Sequence, residues 1–191
     1  PLYLTGQSGC GKSSLLQAAV LPALVEEGWT IIEARAWQDP IAALRDALRG
    51  ARAQAVPPPP LRSLIEGAAR RATGGLLILL DQFEEFVILQ DAGHRHEFAA
   101  LLADLKARPV PKLRLLLAFR SDYLPALEEL DLPPLRQGES WQDIGAFSRS
   151  ASAAFLAGAN LGLQPAAMEA ILASAAALDD LAGLVRPVTL N

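Results

Sequence analysis

The sequence has one cysteine, no long apolar run and no excess of basic residues, and each of these absences narrows its function. A single cysteine cannot form an internal disulfide, and no segment resembles a signal peptide, so we expect a reducing, cytoplasmic location. Apolar runs such as 76–80 and 115–119 are far shorter than the roughly 20 residues that a membrane-spanning helix needs. A net charge of -4 gives no electrostatic footprint for nucleic acid, so we expect no direct nucleic-acid partner.

The chain does have ample apolar content. Its 191 residues are 51% hydrophobic, which is enough for a sizeable core in one domain, or in one domain and the start of another. The chain begins at Pro1 without an initiator Met, and it ends at Asn191 within the predicted beginning of a further element. We therefore expect an excised piece of a longer protein, whose missing N-terminus would hide any targeting segment.

Short apolar runs alternate with segments of helical periodicity along most of the chain. Strands are predicted at 2–5, 30–36, 76–80 and 113–119, with a weaker one within 141–147, and helices at 11–27, 40–52, 61–72 and 96–107. The proline run 56–61 must be a surface connector, and everything from Ser148 onward is predicted to be helical. This alternation predicts an α/β fold of three layers with a mostly parallel sheet over 1–147, followed by a small helical subdomain over 148–191.

A glycine-rich segment between the first predicted strand and helix fits G-x-x-x-x-G-K-[ST] at every position. Glycines let the backbone turn its N–H groups toward a phosphate chain, and the following helix adds the positive end of its dipole. Lys12 would reach the β- and γ-phosphates, and the Ser13 hydroxyl would bind Mg²⁺. The alternative is a strand-to-helix turn with an exposed lysine. The predicted nucleotide-binding residues of this segment are Gly6, Gln7, Ser8, Gly9, Cys10, Gly11, Lys12, Ser13 and Ser14.

Three carboxylates follow the apolar run 76–80. Asp81 comes directly after it, so we expect its side chain at the carboxyl end of a buried strand, where it would bind Mg²⁺ together with Ser13 in the Walker B role. Its alternative role is to cap the next helix. Hydrolysis needs a group that orients the attacking water, and we favour Glu84 over Glu85 for this catalytic role. Both glutamates could instead lie in the first turn of a helix, where the helix dipole favours negative charge. Gln82 stands where many motor ATPases carry their catalytic glutamate, which places rapid turnover in doubt.

Arg120 ends the predicted strand 113–119, at the same sheet edge as Lys12 and Asp81. A cation at this place could contact the γ-phosphate and distinguish ATP from ADP, or stabilise charge in the transition state. The alternative is that Arg120 pairs with Asp122 at the surface.

These motifs, in this order, resemble the STAND class of P-loop ATPases, which is related to AAA+ and NACHT proteins, and most closely its bacterial novel STAND branch. GQSGCGKSSLLQAAVLPAL resembles the phosphate loop and helix of that group, DQFEEF its Walker B segment, and LLLAFRSDYLPAL its sensor strand. IGAFSRSASAAFL is similar to the entry into the small helical subdomain, and LVRPVTLN to a segment whose proline, here Pro187, contacts the nucleotide base before a winged-helix domain.

The resemblance implies a P-loop NTPase sandwich that binds ATP or ADP with Mg²⁺ and acts as a regulated switch. In such proteins ADP holds a closed monomer, and ATP exchange opens the core and allows self-association. Sensor and effector domains would lie elsewhere in the parent chain, and bacterial members are often linked to signalling or antiphage defence.

Three other functions remain open from the sequence. One is a work-performing AAA+ ATPase, such as a loader or remodeller. A small-molecule P-loop kinase would need an arginine-bearing lid and an acceptor site, which the helical tail does not clearly offer. A binding module without hydrolysis is disfavoured because Lys12, Ser13, Asp81 and Glu84 are all present.

Overall fold

The computed structural model describes residues 1–35, 39–49, 59–128, 130, 132–133, 135–158, 162, 164–179 and 184–187. The strands in these residues are β1 Leu2–Gly6, β2 Trp29–Arg35, β3 Gly75–Asp81, β4 Leu113–Arg120 and β5 Trp141–Ile144. The helices are α1 Lys12–Leu15, α2 Leu21–Glu26, α3 Pro40–Arg49, α4 Leu61–Arg71, α5 Phe83–Leu89, α6 Ala92–Ala107, α7 Leu124–Glu128, α8 Arg149–Gly158 and α9 Pro165–Asp179. A π-helical segment, Leu16–Val20, joins α1 to α2, and a 3-10 turn, Ser121–Tyr123, precedes α7.

The strands of the described residues form one parallel sheet of five strands, in the order β2-β3-β4-β1-β5. Trp29 of β2 lies opposite Gly75 of β3, and Leu80 of β3 lies opposite Leu117 of β4. The predicted α/β fold with a parallel sheet is confirmed. The weak fifth strand also forms, over the first part of the predicted segment.

Strand β3 is buried on both of its faces. Residues 76–80 are each at most 3% exposed, and successive side chains of a strand point to opposite faces of the sheet. An apolar run without alternation therefore marks a strand that is covered by structure on both sides. Asp81, the last residue of β3, is the first of this strand to be partly exposed after the buried run.

Aspartate caps set the start of two helices. Asp39 Oδ1 accepts hydrogen bonds from the backbone N–H groups of Ile41 and Ala42, so α3 begins at Pro40 as predicted. Asp91 Oδ1 accepts from the backbone N–H of His94, and α6 consequently begins at Ala92 rather than at the predicted His96. The prediction placed the start too late because it followed apolar periodicity and did not use the cap.

The predicted helix 11–27 forms, but it is not a regular α-helix throughout. The backbone N–H of Leu21 bonds to the carbonyl of Leu16, five residues earlier, which is the π-helical pattern. Pro22 follows directly. In a regular α-helix its ring would clash with the carbonyl four residues before it, and its missing N–H would leave that carbonyl unpaired. The helical run then ends before Gly28, which has a φ of 81°.

The chain divides into a core unit of residues 1–5 and 13–143 and a second unit, which contains residues 6–12 and the described residues from 144 onward. In the second unit, Phe147 and Val185 exchange backbone hydrogen bonds of 2.7 and 2.9 Å as an antiparallel bridge. The prediction that everything after Ser148 is helical is therefore wrong at Val185, whose backbone is paired with another segment. Residues 180–183 lie outside the described residues, as do 50–58, so the proline connector and the end of the predicted helix 40–52 stay predictions.

An aromatic cluster (Phe83, Phe86 and Phe98) anchors α5 to α6 in the core unit. Its ring centroids lie 5.1 to 5.3 Å apart, and all three side chains are essentially inaccessible to solvent. The two phenylalanines of α5 are three residues apart, so they lie on one face of the helix. None of the described helices is both long and apolar enough to cross a membrane.

We expect the substitution Phe86→Ala to reduce the free energy of unfolding by about 3 to 5 kcal/mol, because it leaves a cavity in this cluster. Denaturant unfolding monitored by circular dichroism measures the loss. Leu89→Ala is the matched control, since Leu89 belongs to the same helix but is 63% exposed, and it should change stability by less than about 0.5 kcal/mol. Equal losses for the two variants would contradict the anchoring role of the cluster.

Candidate functional site

The predicted phosphate loop, residues 6–12, is a tight turn within the second unit. Gly9 and Gly11 have φ values of 74° and 90°, in the region that side-chain-bearing residues rarely adopt. Lys12 Nζ donates to the carbonyl oxygens of Gly6 at 2.7 Å and Gln7 at 3.2 Å, and it lies 3.8 Å from the sulfur of Cys10. The lysine side chain thus folds back along the loop that precedes it.

Two glycines of this loop lie close to other groups of the second unit. A Cβ on Gly6 would come within 2.4 Å of the Ile144 carbonyl oxygen and 2.5 Å of the Cys10 sulfur, which is buried. A Cβ on Gly11 would meet the Pro187 ring at 3.3 Å. The structure therefore places Pro187 against the glycine loop within the same unit, while its predicted contact with a nucleotide base stays a prediction.

The remaining predicted nucleotide-binding side chains are exposed. Gln7 and Ser8 lie at the outside of the loop, and Ser14 lies in the first turn of α1. We expect positions such as Gln7 and Ser8 to contribute backbone N–H groups, since a phosphate loop recognises its ligand through the main chain.

Ser13 and Asp81 meet in the core unit. The Ser13 hydroxyl donates to Asp81 Oδ2 at 2.8 Å, and Asp81 Oδ1 accepts from the backbone N–H of Gln82 at 2.9 Å. The two hydrogen bonds fix the orientation of the carboxylate. Both predicted metal ligands are thus brought together, although they are far apart in the sequence.

The pair fits Mg²⁺ by a simple geometric test. Octahedral Mg²⁺ has oxygen ligands at about 2.0 to 2.1 Å, so adjacent ligands are roughly 2.9 Å apart. The Ser13 and Asp81 oxygens are 2.8 Å apart. The described residues contain no group of three or more His, Cys, Asp or Glu side chains that could hold a metal. Mg²⁺ sites of nucleotide-binding proteins need no such group, because phosphates and water complete the coordination.

A sharp reversal of the chain follows Asp81. Gln82 adopts the left-handed conformation, with φ 55° and ψ 41°, and α5 begins at the next residue. A residue other than glycine pays for this conformation with about 1 kcal/mol or more, so the surrounding packing must enforce it. The reversal places Glu84 and Glu85 in the first turn of α5, as the helix-dipole alternative predicted.

Glu84 reaches the end of strand β4. Its Oε2 accepts a hydrogen bond of 3.3 Å from the backbone N–H of Arg120. Among the described residues, the carboxylate of Glu85 has no recorded hydrogen bond. The structure therefore brings the carboxylate of Glu84 to the edge of the sheet where Arg120 lies, and its catalytic role stays a prediction.

Arg120 pairs with Asp122, as the alternative prediction stated. Its guanidinium donates to Asp122 Oδ2 at 2.5 Å and lies 5.4 Å from the centroid of the Tyr123 ring. The hydrogen bond to Asp122 is the main reason why the pKa of Arg120 is raised above its usual value. Sequence reasoning missed the contact of Arg120 with Tyr123, because a cation–π contact is defined by the position of the cation over the ring and not by spacing in the sequence.

The fold and these residues define a P-loop NTPase. The family model for novel STAND NTPase 1 matches residues 1–176, and the chain belongs to this family. This confirms the resemblance to the novel STAND branch and the predicted P-loop NTPase fold. No curated protein gives a significant match.

Solved structures support the same fold. A Walker-type ATPase of Pyrococcus abyssi has a TM-score of 0.58 at 15% identity over 90% of this chain and 57% of that chain. The ORC1 protein of Aeropyrum pernix, solved in complex with DNA, has a TM-score of 0.60 at 16% identity over 99% of this chain and 51% of that chain. The Hsp104-ADP complex of S. cerevisiae has a TM-score of 0.51 at 15% identity over 99% of this chain and 26% of that chain. This chain thus spans little more than half the length of the first two proteins.

We expect Asp81→Asn to weaken nucleotide binding roughly 10- to 100-fold in the presence of Mg²⁺, because the amide cannot replace a carboxylate that binds or orients a metal ligand. Titration of a fluorescent ATP analogue measures the change. The difference should disappear in excess EDTA, where binding does not use the metal. Asp46→Asn, at an exposed aspartate of α3, is the control for the change in charge. An equal loss with and without Mg²⁺ would contradict a metal role.

Proposed function

We propose that the chain is the ATP-binding and slowly hydrolysing core of a regulatory switch. The observation that carries this proposal is the hydrogen bond between Ser13 and Asp81, which joins the end of the phosphate-loop motif to the end of a buried strand. Membership of a family of NTPases supports nucleoside triphosphate as the ligand.

The phosphate-loop segment supplies the anion-binding groups of this proposal. Lys12 donates to two backbone carbonyls, whereas the sulfur of Cys10 at 3.8 Å is a weak acceptor. An ammonium has three N–H donors, so the one near sulfur can turn to a phosphate oxygen with the smallest loss. The helical run that starts at Lys12 adds the positive end of its dipole.

Ser13 and Asp81 would hold Mg²⁺, which neutralises charge on the phosphates during hydrolysis. The carboxylate of Glu84 would orient the attacking water and accept its proton. Its hydrogen bond to the backbone of Arg120 supports this role, since it holds the carboxylate at the carboxyl edge of the sheet. Arg120 would contact the terminal phosphate and stabilise its charge.

The switch itself is proposed from the family. ADP would hold a closed form, ATP would favour an open form, and the open form would self-associate and activate an effector elsewhere in the parent chain. Hydrolysis would return the protein to its closed form. A slow rate of hydrolysis suits such a switch, because it lets the open form persist. Gln82, at the position next to Asp81, supports slow turnover because it offers an amide where a motor ATPase has a carboxylate.

We expect Lys12→Ala to abolish ATP and ADP binding, because the phosphates lose their nearest cation. Isothermal titration calorimetry with each nucleotide measures this loss. Lys106→Ala is the matched control, since Lys106 is an exposed lysine of α6, and it should leave affinity unchanged. Unchanged affinity in Lys12→Ala would contradict the phosphate-loop assignment and the proposed function with it.

We expect Glu84→Gln to retain ATP while slowing its hydrolysis by about 100-fold or more, which is the usual contribution of a general base. Single-turnover measurements with radiolabelled ATP separate this step from product release. Glu85→Gln is the control, because it removes the neighbouring charge in the same helical turn. A normal rate in Glu84→Gln together with a slow one in Glu85→Gln would move the role to Glu85.

A further inference from the structure

Arg120 lies farther out along the sheet edge than Asp81. Strand β4 lies between β1 and β3, and Leu117 of β4 is opposite Leu80 of β3. Three residues of β4 follow this pair, whereas only one residue of β3 follows it. The end of β4, which carries Arg120, thus extends farther along the sheet edge than the end of β3, which carries Asp81.

Among the described residues, the guanidinium of Arg120 makes one hydrogen bond. One terminal nitrogen donates to Asp122, and the Nε atom is buried with no hydrogen-bond partner among the described residues. A guanidinium has five N–H donors, and it binds phosphate best through two parallel hydrogen bonds. The one hydrogen bond to Asp122 is therefore a partial pairing, which an anion that offers two oxygens can replace.

We infer that Asp122 is a specificity-determining residue, which favours a nucleoside diphosphate over a triphosphate by competing with the terminal phosphate for Arg120. This inference rests on the proposed function, in which the terminal phosphate lies at the edge formed by Ser13 and Asp81. A diphosphate leaves the pair of Arg120 and Asp122 intact. A triphosphate must take the guanidinium from Asp122 and must also approach the negative charge of that carboxylate.

The pair has the right strength for such a competition. Its side chains are 38% and 50% exposed, so solvent screens their attraction, and exposed ion pairs contribute little to stability. The Tyr123 ring supports the guanidinium from a separate direction and does not compete for its hydrogen bonds. Arg120 can therefore change its hydrogen-bond partner without losing this aromatic contact.

The test is the ratio of ATP to ADP affinity, measured by calorimetry with the whole chain in the presence of Mg²⁺. Asp122→Asn should raise this ratio by about 2- to 5-fold, in line with the energy of an exposed ion pair. Asp122→Ser is a second variant in case the amide of asparagine replaces the carboxylate as an acceptor. Glu139→Gln is the matched control, since it removes one carboxylate from another exposed pair, with Arg136, and it should leave the ratio unchanged.

A double-mutant cycle shows whether the effect passes through Arg120. In the Arg120→Gln background, Asp122→Asn should no longer change the ratio. A change that persists there, or an unchanged ratio in both single variants at Asp122, would overturn the inference while leaving nucleotide binding in place. Failure of the unmodified chain to bind either nucleotide would instead overturn the proposed function.

Discussion

The burial of β3 on both faces is the constraint on which the rest of the candidate site depends. Five consecutive apolar residues can all be hidden only if the strand has neighbours on each side and layers above and below. Asp81, the last residue of β3, therefore lies at the carboxyl edge of the sheet. After Asp81 the chain turns back at Gln82, which is left-handed, into helix α5, whose phenylalanines belong to the aromatic cluster.

This reversal links the packing of the core to the chemistry of the edge. The phenylalanines of DQFEEF hold α5 against α6, and the glutamates between them face the other way. Glu84 thereby reaches the backbone of Arg120, while Asp81 receives the hydroxyl of Ser13. Four polar residues of the core unit, from three distant parts of the sequence, are held at one sheet edge by apolar contacts behind them.

Much of this arrangement could be predicted from the sequence because each signal is local. An apolar run that stops at Asp81 predicts a buried strand with a carboxylate at its end, and glycines ahead of Lys12 and Ser13 predict a turn for phosphates. An aspartate followed by a proline likewise predicts the start of α3, where Asp39 caps the helix.

Other features depend on contacts that a sequence pattern does not contain. The left-handed conformation of Gln82, between β3 and α5, has no signal in the sequence, since nothing in a glutamine predicts a positive φ. Val185 pairs with Phe147, many residues away, in a tail that composition alone assigns to helix. The π-helical segment before Pro22 is a third case, in which apolar periodicity predicts the helix but not its local geometry.

The most direct measurement is the identity of the nucleotide that the protein carries. The protein would be purified without added nucleotide and denatured, and the released nucleotides would be separated by chromatography, with Lys12→Ala as the control. For a switch at rest we predict ADP in a near-stoichiometric amount, and none from the variant. An empty site that hydrolyses added ATP rapidly and continuously would contradict the switch and would indicate a motor-type ATPase.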